Sequence, residues 1–239
     1  MTLLLQGKFE PITSEFGFVQ APHEVVAKWW LHREAGIQEM RGGSVESRAV
    51  SGPLEATLSC LLPLTSVERR RVLLLSTSSE WTAVFDNGYQ GGDGAALSFP
   101  AAELHCRAIR VAAVRDAEVA GRHHRYGARI FELYGPDKTD FLNYVRTISV
   151  ANDAGQWHVD QSGVPLAGEE KSWFGARKLK DRFREEHLAA LLHSLGIDAF
   201  DERFYASKGV LIERHGPTAV GSREYQLAEV QAEWKNPQS

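Results

Sequence analysis

From Glu80 to Cys106 the chain reads EWTAVFDNGYQGGDGAALSFPAAELHC, with Gly88, Gly91, Gly92 and Gly94 falling within seven residues. Closely spaced glycines let backbone N–H groups converge on an anion, and a following helix start adds a favourable dipole. Asp86, Asn87, Tyr89, Gly91, Gly92 and Asp93 are therefore the candidate binding residues. The stretch lacks the lysine and hydroxyl of a P-loop and the G-x-G-x-x-G dinucleotide fingerprint. Asp86 and Asp93 could bind a divalent cation or divide acid and base roles, but their spacing matches no calcium loop. Asp-Asn-Gly is also a common way to end a strand.

The remaining chemistry-bearing residues are scattered. His123 and His124 stand between Arg122 and Arg125 with no third ligand at zinc spacing, which reads as a solvated basic loop. His158 and Asp160 form H-x-D on one strand face, an arrangement that could orient an imidazole, with no G-x-S-x-G or similar nucleophile motif beside it. Five of the eight residues from Arg177 to Arg184 are basic. Leu179 and Phe183, four apart, make that run read as a solvated helix face packed on the core. Cys60 and Cys106 are too few for a disulfide framework or a structural zinc set and read as reduced thiols. No catalytic set, metal site or cofactor is assigned.

The elements that would position these groups alternate between strand and helix signals. Glu15 to Val19 reads as a strand, and Pro22 opens a helix carrying Val25, Val26, Trp29 and Trp30, with Gly36 as its stop. Val72 to Leu75 and Trp81 to Phe85 form a hairpin pair, and Asp86-Asn87-Gly88 ends the second strand. A short helix from Ser98 to His105 and a strand at Ile109, Val111 and Ala113 follow. Further strands are expected at 128–134, 145–151 and 156–160, the last two joined by Asn152-Asp153-Ala154-Gly155. Leu188, Leu191, Leu192 and Leu195, followed by Gly196, mark a helix and its end. A short strand at Val210 to Ile212 and a helix within Ser222 to Trp234 complete the reading.

Hairpin connections predict a mainly antiparallel sheet, hence an α+β fold with flanking helices and a helical C-terminal part, not a doubly wound nucleotide fold. The sheet region spans 1–161, the helical part spans 171–239, and Ser162 to Glu170 is the candidate linker inside one continuous domain. The 239 residues are 43% hydrophobic and 24% charged, a globular balance. The formal charge of −4 speaks against nucleic acid or an anionic membrane as partner. The N-terminal MTLLLQGKFE lacks the basic start of a secretory signal, and no stretch has the length of a membrane span, so a cytoplasmic location is expected.

Four segments, W-T-A-V-F-D-N-G at Trp81, F-E-L-Y-G-P at Phe131, R-T-I-S-V-A-N-D at Arg146 and F-D-E-R-F-Y at Phe200, resemble a family of bacterial cytosolic proteins of uncharacterised activity. The resemblance covers most of residues 15–213. Its general character is similar to that of immunity proteins, which neutralise bacterial toxins by direct binding. It implies a protein-binding module whose partner is another protein, a toxin in that case, and carries over no catalytic residues. The glycine-rich segment with Tyr89 and the surface aromatics suit such an interface. The alternative from the residues alone is a small hydrolase or transferase holding a phosphorylated or nucleotide substrate at the glycine-rich loop.

Overall fold

The computed structural model describes residues 3–92, 94–116, 125–139 and 142–235. Its centre is one antiparallel sheet of nine strands. In chain order these are β1 (Glu15–Val19), β2 (Ser44–Ser51), β4 (Arg71–Thr77), β5 (Thr82–Asp86), β6 (Ala108–Val114), β7 (Ala128–Tyr134), β8 (Tyr144–Asp153), β9 (Gln156–Gly163) and β10 (Tyr205–His215). Across the sheet the order is β2-β10-β4-β5-β1-β6-β7-β8-β9. A separate two-stranded ladder joins β3 (Leu64–Thr65) to β11 (Glu224–Tyr225). The α+β class expected from the hairpin signals is the class observed.

Helices cover both faces of the central strands, and the sequence of β4 shows why. Its run Val72-Leu73-Leu74-Leu75 is apolar throughout because alternate residues enter different cores. Leu73 and Leu75 join Phe16, Phe18, Phe85, Ile109, Val111, Phe131 and Ile148 in the larger core. That core is closed by α2 (Leu54–Ser59), α4 (Glu185–Ser194), Trp173 and Phe183. Val72 and Leu74 face the other way with Val84 and Ile212, against Val26, Ala27 and Trp30 of α1 (His23–Met40) and Ala101 of α3 (Ser98–Glu103).

Several elements depart from the sequence reading. Helix α1 passes through Gly36 and ends at Met40. A glycine costs about 1 kcal/mol there relative to alanine, but the buried stripe of Val26, Trp30, Glu34 and Gln38 extends beyond it and carries the helix on. The basic run is not a helix face. Residues Leu179–Asp181 form a 3-10 turn, Leu179 is exposed, Phe183 is buried, and α4 begins only at Glu185. The stretch between Met40 and Pro63, whose sequence signals are weak and favour neither strand nor helix, forms β2 and α2.

The C-terminal part is helical in α4 and α5 (Leu227–Lys235), and it also supplies a long interior strand. β10 pairs with β2 along one side and β4 along the other, far beyond the three apolar residues at its centre. Leu188, Leu191, Leu192 and Leu211 share the core of Phe16 and Phe85, so the two regions bury one common interior. The segment between them is fastened: Glu169 receives Arg146 Nε at 2.8 Å and Nη2 at 2.6 Å. Arg146 is 2% exposed and also donates to Ser162 O and Gln161 Oε1. Among the described residues no helix is long and apolar enough to cross a membrane.

Candidate functional site

The glycine-rich segment lies at the end of β5 and folds inward over the sheet. Asn87 is buried and its amide is spent internally: Oδ1 accepts the N–H groups of Arg70 (2.9 Å) and Arg71 (3.0 Å), and Nδ2 donates to Pro63 O. Asp86 Oδ1 accepts Gly88 N–H at 2.8 Å and lies 3.9 Å from Arg69 Nε. Arg69 Nη2 donates to Gly91 O. The N–H groups that would cradle an anion are likewise directed inward, Tyr89 to Thr65 O and Gly91 to Gly88 O. Gly88, Gly91 and Gly94 are buried and Gly92 is half-buried, so these glycines do not form an exposed loop. Asp93 lies outside the described residues.

The glycines are explained by what lies beneath them. Gly91 holds φ +106°, and a Cβ there would come within 2.8 Å of Glu15 Cδ. A Cβ on Gly94 would stand 1.9 Å from Arg110 Cδ. Glu15 and Arg110 are neighbours on β1 and β6, facing the α1 side of the sheet. Arg110 Nη2 donates to Glu15 Oε2 (3.1 Å) and Nη1 to Glu132 Oε1 (3.2 Å), while Tyr134 Oη donates to Glu132 Oε2 (2.7 Å). Burial raises the Glu15 carboxyl above its ordinary value, with the Arg110 cation pulling the other way. Burial opposes the charge on Arg110, yet Glu15 and Glu132 hold its guanidinium above the usual value. Burial and the Glu132 carboxylate also push the Tyr134 phenol far up.

A cavity of about 30 Å³ opens beside this network, lined by Glu15, Trp30, Asp86, Gly92, Gly94 and Arg110 among others. It has room for a water molecule or two and for no organic ligand. Trp30 Nε1 and Arg110 Nε on this lining, and Arg69 Nε nearby, are buried without a hydrogen-bond acceptor among the described residues. The sequence signal for this network is the pair of charges set into apolar strands, Glu15 in EFGFV and Arg110 in AIRVAAV. Tyr89 stands apart at the surface side, stacked on Tyr225 at 4.6 Å and donating to Glu233 Oε2 at 3.0 Å. Burial, then Glu233, raises its phenol. The structure thus gathers Asp86, Gly91 and Gly92 around Glu15 and sends Asn87 and Tyr89 elsewhere.

Other chemistry-bearing groups stay dispersed. His158 and Asp160 are exposed on β9. His123 and His124 lie outside the described residues. Ser76 Oγ is 3.0 Å from His23 Nδ1, and Glu24 Oε2 is 3.0 Å from that same nitrogen. A nucleophile relay needs the hydroxyl and the carboxylate on opposite ring nitrogens, so no relay is built. Both cysteines are free, and burial raises the Cys106 thiol. Among the described residues no cluster of three or more histidine, cysteine or carboxylate side chains could hold a metal ion.

A feature that sequence spacing did not reveal is an open groove of about 820 Å³ on the opposite side of the molecule from α1. Its apolar lining is Leu3, Leu5, Ala189 and Phe200, and its charged lining is Glu185, Glu186, Asp201, Glu202 and Arg203. A second recess of about 650 Å³ shares Leu5, Gln6 and Glu202 with it. The dividing ridge is unusual backbone: Leu5 (φ 51°) and Gln6 (φ 54°) are both left-handed, followed by Gly7 at φ 81°. Such a conformation costs about 1–2 kcal/mol per non-glycine residue. Leu5 is held there by burial in the main core, and Arg115 Nη2 donates to Gln6 O. Sequence offers no signal for this ridge, because the groove is assembled from three separated segments.

No family model matches the chain, and neither the curated proteins nor the solved structures searched include a match to it.

Proposed function

We propose that this protein is a protein-binding domain that takes a cationic, partly apolar segment of its partner into the groove beside Leu5 and Gln6. The observation that supports this reading most directly is the composition of that groove. Four carboxylates and one arginine surround an apolar floor, on a chain of net charge −4, with Glu185 paired to Arg129, Glu186 to Arg184 and Asp201 to Arg203, so that a modest acidic excess remains at the rim. Charge complementarity then selects a basic partner and speeds its encounter, while the half-buried Ala189 and Phe200 supply the surface that an apolar side chain would bury. The strained ridge fits a contact surface, since left-handed backbone is retained where surrounding structure enforces it and often where a surface is shaped for use. Asp201 is kept ionised by the Arg203 side-chain hydrogen bond and the Arg203 N–H, so its charge persists to acid pH.

In the specific form suggested by the resemblance, the partner is a toxin and the domain an immunity protein that covers it. The hydrolase or transferase alternative draws no support from the glycine-rich loop, whose Tyr89 and Gly91 N–H groups and Asp86 carboxylate are engaged within the protein.

The test uses an amphipathic helical peptide with lysines flanking a leucine stripe, titrated by calorimetry. Binding that falls with salt, weakens at least tenfold in Glu186→Lys/Glu202→Lys, and is blocked by Ala189→Arg supports the groove. Equal binding by all three proteins, or none at 100 µM peptide, removes this reading.

A further inference from the structure

β9 is an edge strand of the nine-stranded sheet. The β8–β9 hairpin closes through Ala154 (φ 48°) and Gly155 (φ 91°), with Asp153 opposite Gln156. In a two-residue hairpin that flanking pair is hydrogen-bonded, and bonded and non-bonded pairs then alternate. Gln156, His158, Asp160 and Ser162 therefore bond back to β8. Trp157, Val159 and Gln161 turn their backbone N–H and C=O groups outward, and no further backbone partner meets them among the described residues. The 3-10 turn Leu179–Asp181 lies against both β8 and β9, so it crosses a face of the sheet instead of capping this edge. The strand contains no proline or lysine, the residues that usually blunt an edge.

We propose that this edge joins β9 of a second copy of the chain, antiparallel, about a two-fold axis through Val159. That register makes Val159 pair with its own counterpart and Trp157 with Gln161 of the second copy, using only the outward backbone groups. It also sets His158 opposite Asp160 of the second copy, and by symmetry Asp160 opposite His158. These fall at the closely spaced non-bonded position, where cross-strand side chains interact most strongly. An imidazole meets a carboxylate twice across one axis, and no like charges oppose each other. The two-fold closes on itself, producing a dimer with a continuous sheet and no growing fibre. This surface shares no residue with the acidic groove, so the two proposals stand or fall separately.

Sedimentation equilibrium between 1 and 100 µM reads the outcome directly. The parent chain of 26.6 kDa is expected at twice that mass in the upper part of the range. His158→Asp places four carboxylates around the axis and should weaken the dimer about tenfold or more, since two cross-strand pairs then set like charges opposite each other. The exchange His158→Asp/Asp160→His restores an imidazole opposite a carboxylate in this register and should recover the dimer. Val159→Pro removes an outward N–H without touching the β8 ladder and should leave a folded monomer. A chain that stays monomeric at 100 µM overturns the proposal, as does a dimer indifferent to His158→Asp and Val159→Pro. A dimer weakened by His158→Asp and not recovered by the exchange overturns the register, and an edge occupied only by an extended peptide of another protein overturns the second copy as partner.

Discussion

Replacing Glu169 by alanine should unfasten the segment between the sheet and α4. In the intact protein both Glu169 oxygens receive Arg146, and the two side chains are 3% and 2% exposed. Glu169 Oε1 also accepts Leu166 N–H at 2.9 Å, which folds the segment back on itself. Alanine would leave the Arg146 guanidinium buried with Ser162 O, Gln161 Oε1 and, at 3.4 Å, Gly163 O as its neutral acceptors among the described residues. Breaking a buried ion pair from one side costs about 3–5 kcal/mol. These remaining neutral acceptors put the expected loss near the lower end, about 3 kcal/mol, or roughly 6–12 °C in Tm for a chain of this size. Removing both charges is different. Arg146→Met/Glu169→Leu leaves no stranded ion and should cost about 1 kcal/mol or less, far below the sum of the single changes. Urea unfolding of the parent, Glu169→Ala, Arg146→Met, Glu169→Leu and the double variant, together with the rate of proteolytic cutting at 164–170, measures both effects. A Glu169→Ala loss under about 1 kcal/mol with unchanged cutting would show that the segment is a free linker after all. A double variant as unstable as the sum of the singles would refute the stranded-charge argument.

The same substitution should act in opposite directions at two glycines. Gly36→Ala, exposed within α1 with nothing within 4 Å of the new methyl group, should raise stability by up to about 1 kcal/mol by thermal melting. Gly94→Ala must displace Arg110 and should cost about 1–3 kcal/mol; a neutral result would mean that the loop does not seat on that side chain. His187 gives a pH dependence. Burial, then Arg184, lowers its pKa, and its neutral Nδ1 accepts Arg184 N–H at 3.2 Å while the ring lies flat on Trp173. The unfolded ring binds a proton more readily, so this contribution is complete above about pH 6.5 and is lost as the pH falls below that value toward the folded pKa. Denaturation midpoints between pH 8 and 5 should therefore fall less in His187→Gln than in the parent, and parallel curves would exclude the ring as the source.

Legibility followed how local each cause was. The bounds of β1 and β7 emerge from apolar runs ended by turn residues, and the structure repeats them residue for residue. α4 and its end at Gly196 were readable for the same reason, since the leucine spacing and the positive φ of the glycine are properties of adjacent residues. Gly36 misled because burial of Glu34 and Gln38 outweighs local propensity. Leu179 and Phe183 misled because a four-residue spacing is also compatible with a turn that buries only one of them. At β10, polar flanks such as Ser207-Lys208 and Glu213-Arg214 obscured a strand that neighbours on both sides extend. The glycine cluster was conspicuous, but its cause lay in Glu15 and Arg110, 76 and 19 positions from Gly91. Only the inward-facing charges of β1 and β6 could have connected them.

The place of β10 between β2 and β4 has a consequence for the nascent chain. β2 ends at Ser51, and its ladder partner in the sheet begins at Tyr205. At about 5–20 residues per second, ribosomal synthesis leaves β2 without that partner for on the order of ten seconds. During that interval β4 also presents an unpaired side, carrying Leu73 and Leu75. The chain is then most open to association with other nascent chains and most dependent on a holdase. Any premature stop before residue 205 would leave the same two strands exposed permanently, so such fragments should be recovered in aggregates and not as smaller folded proteins.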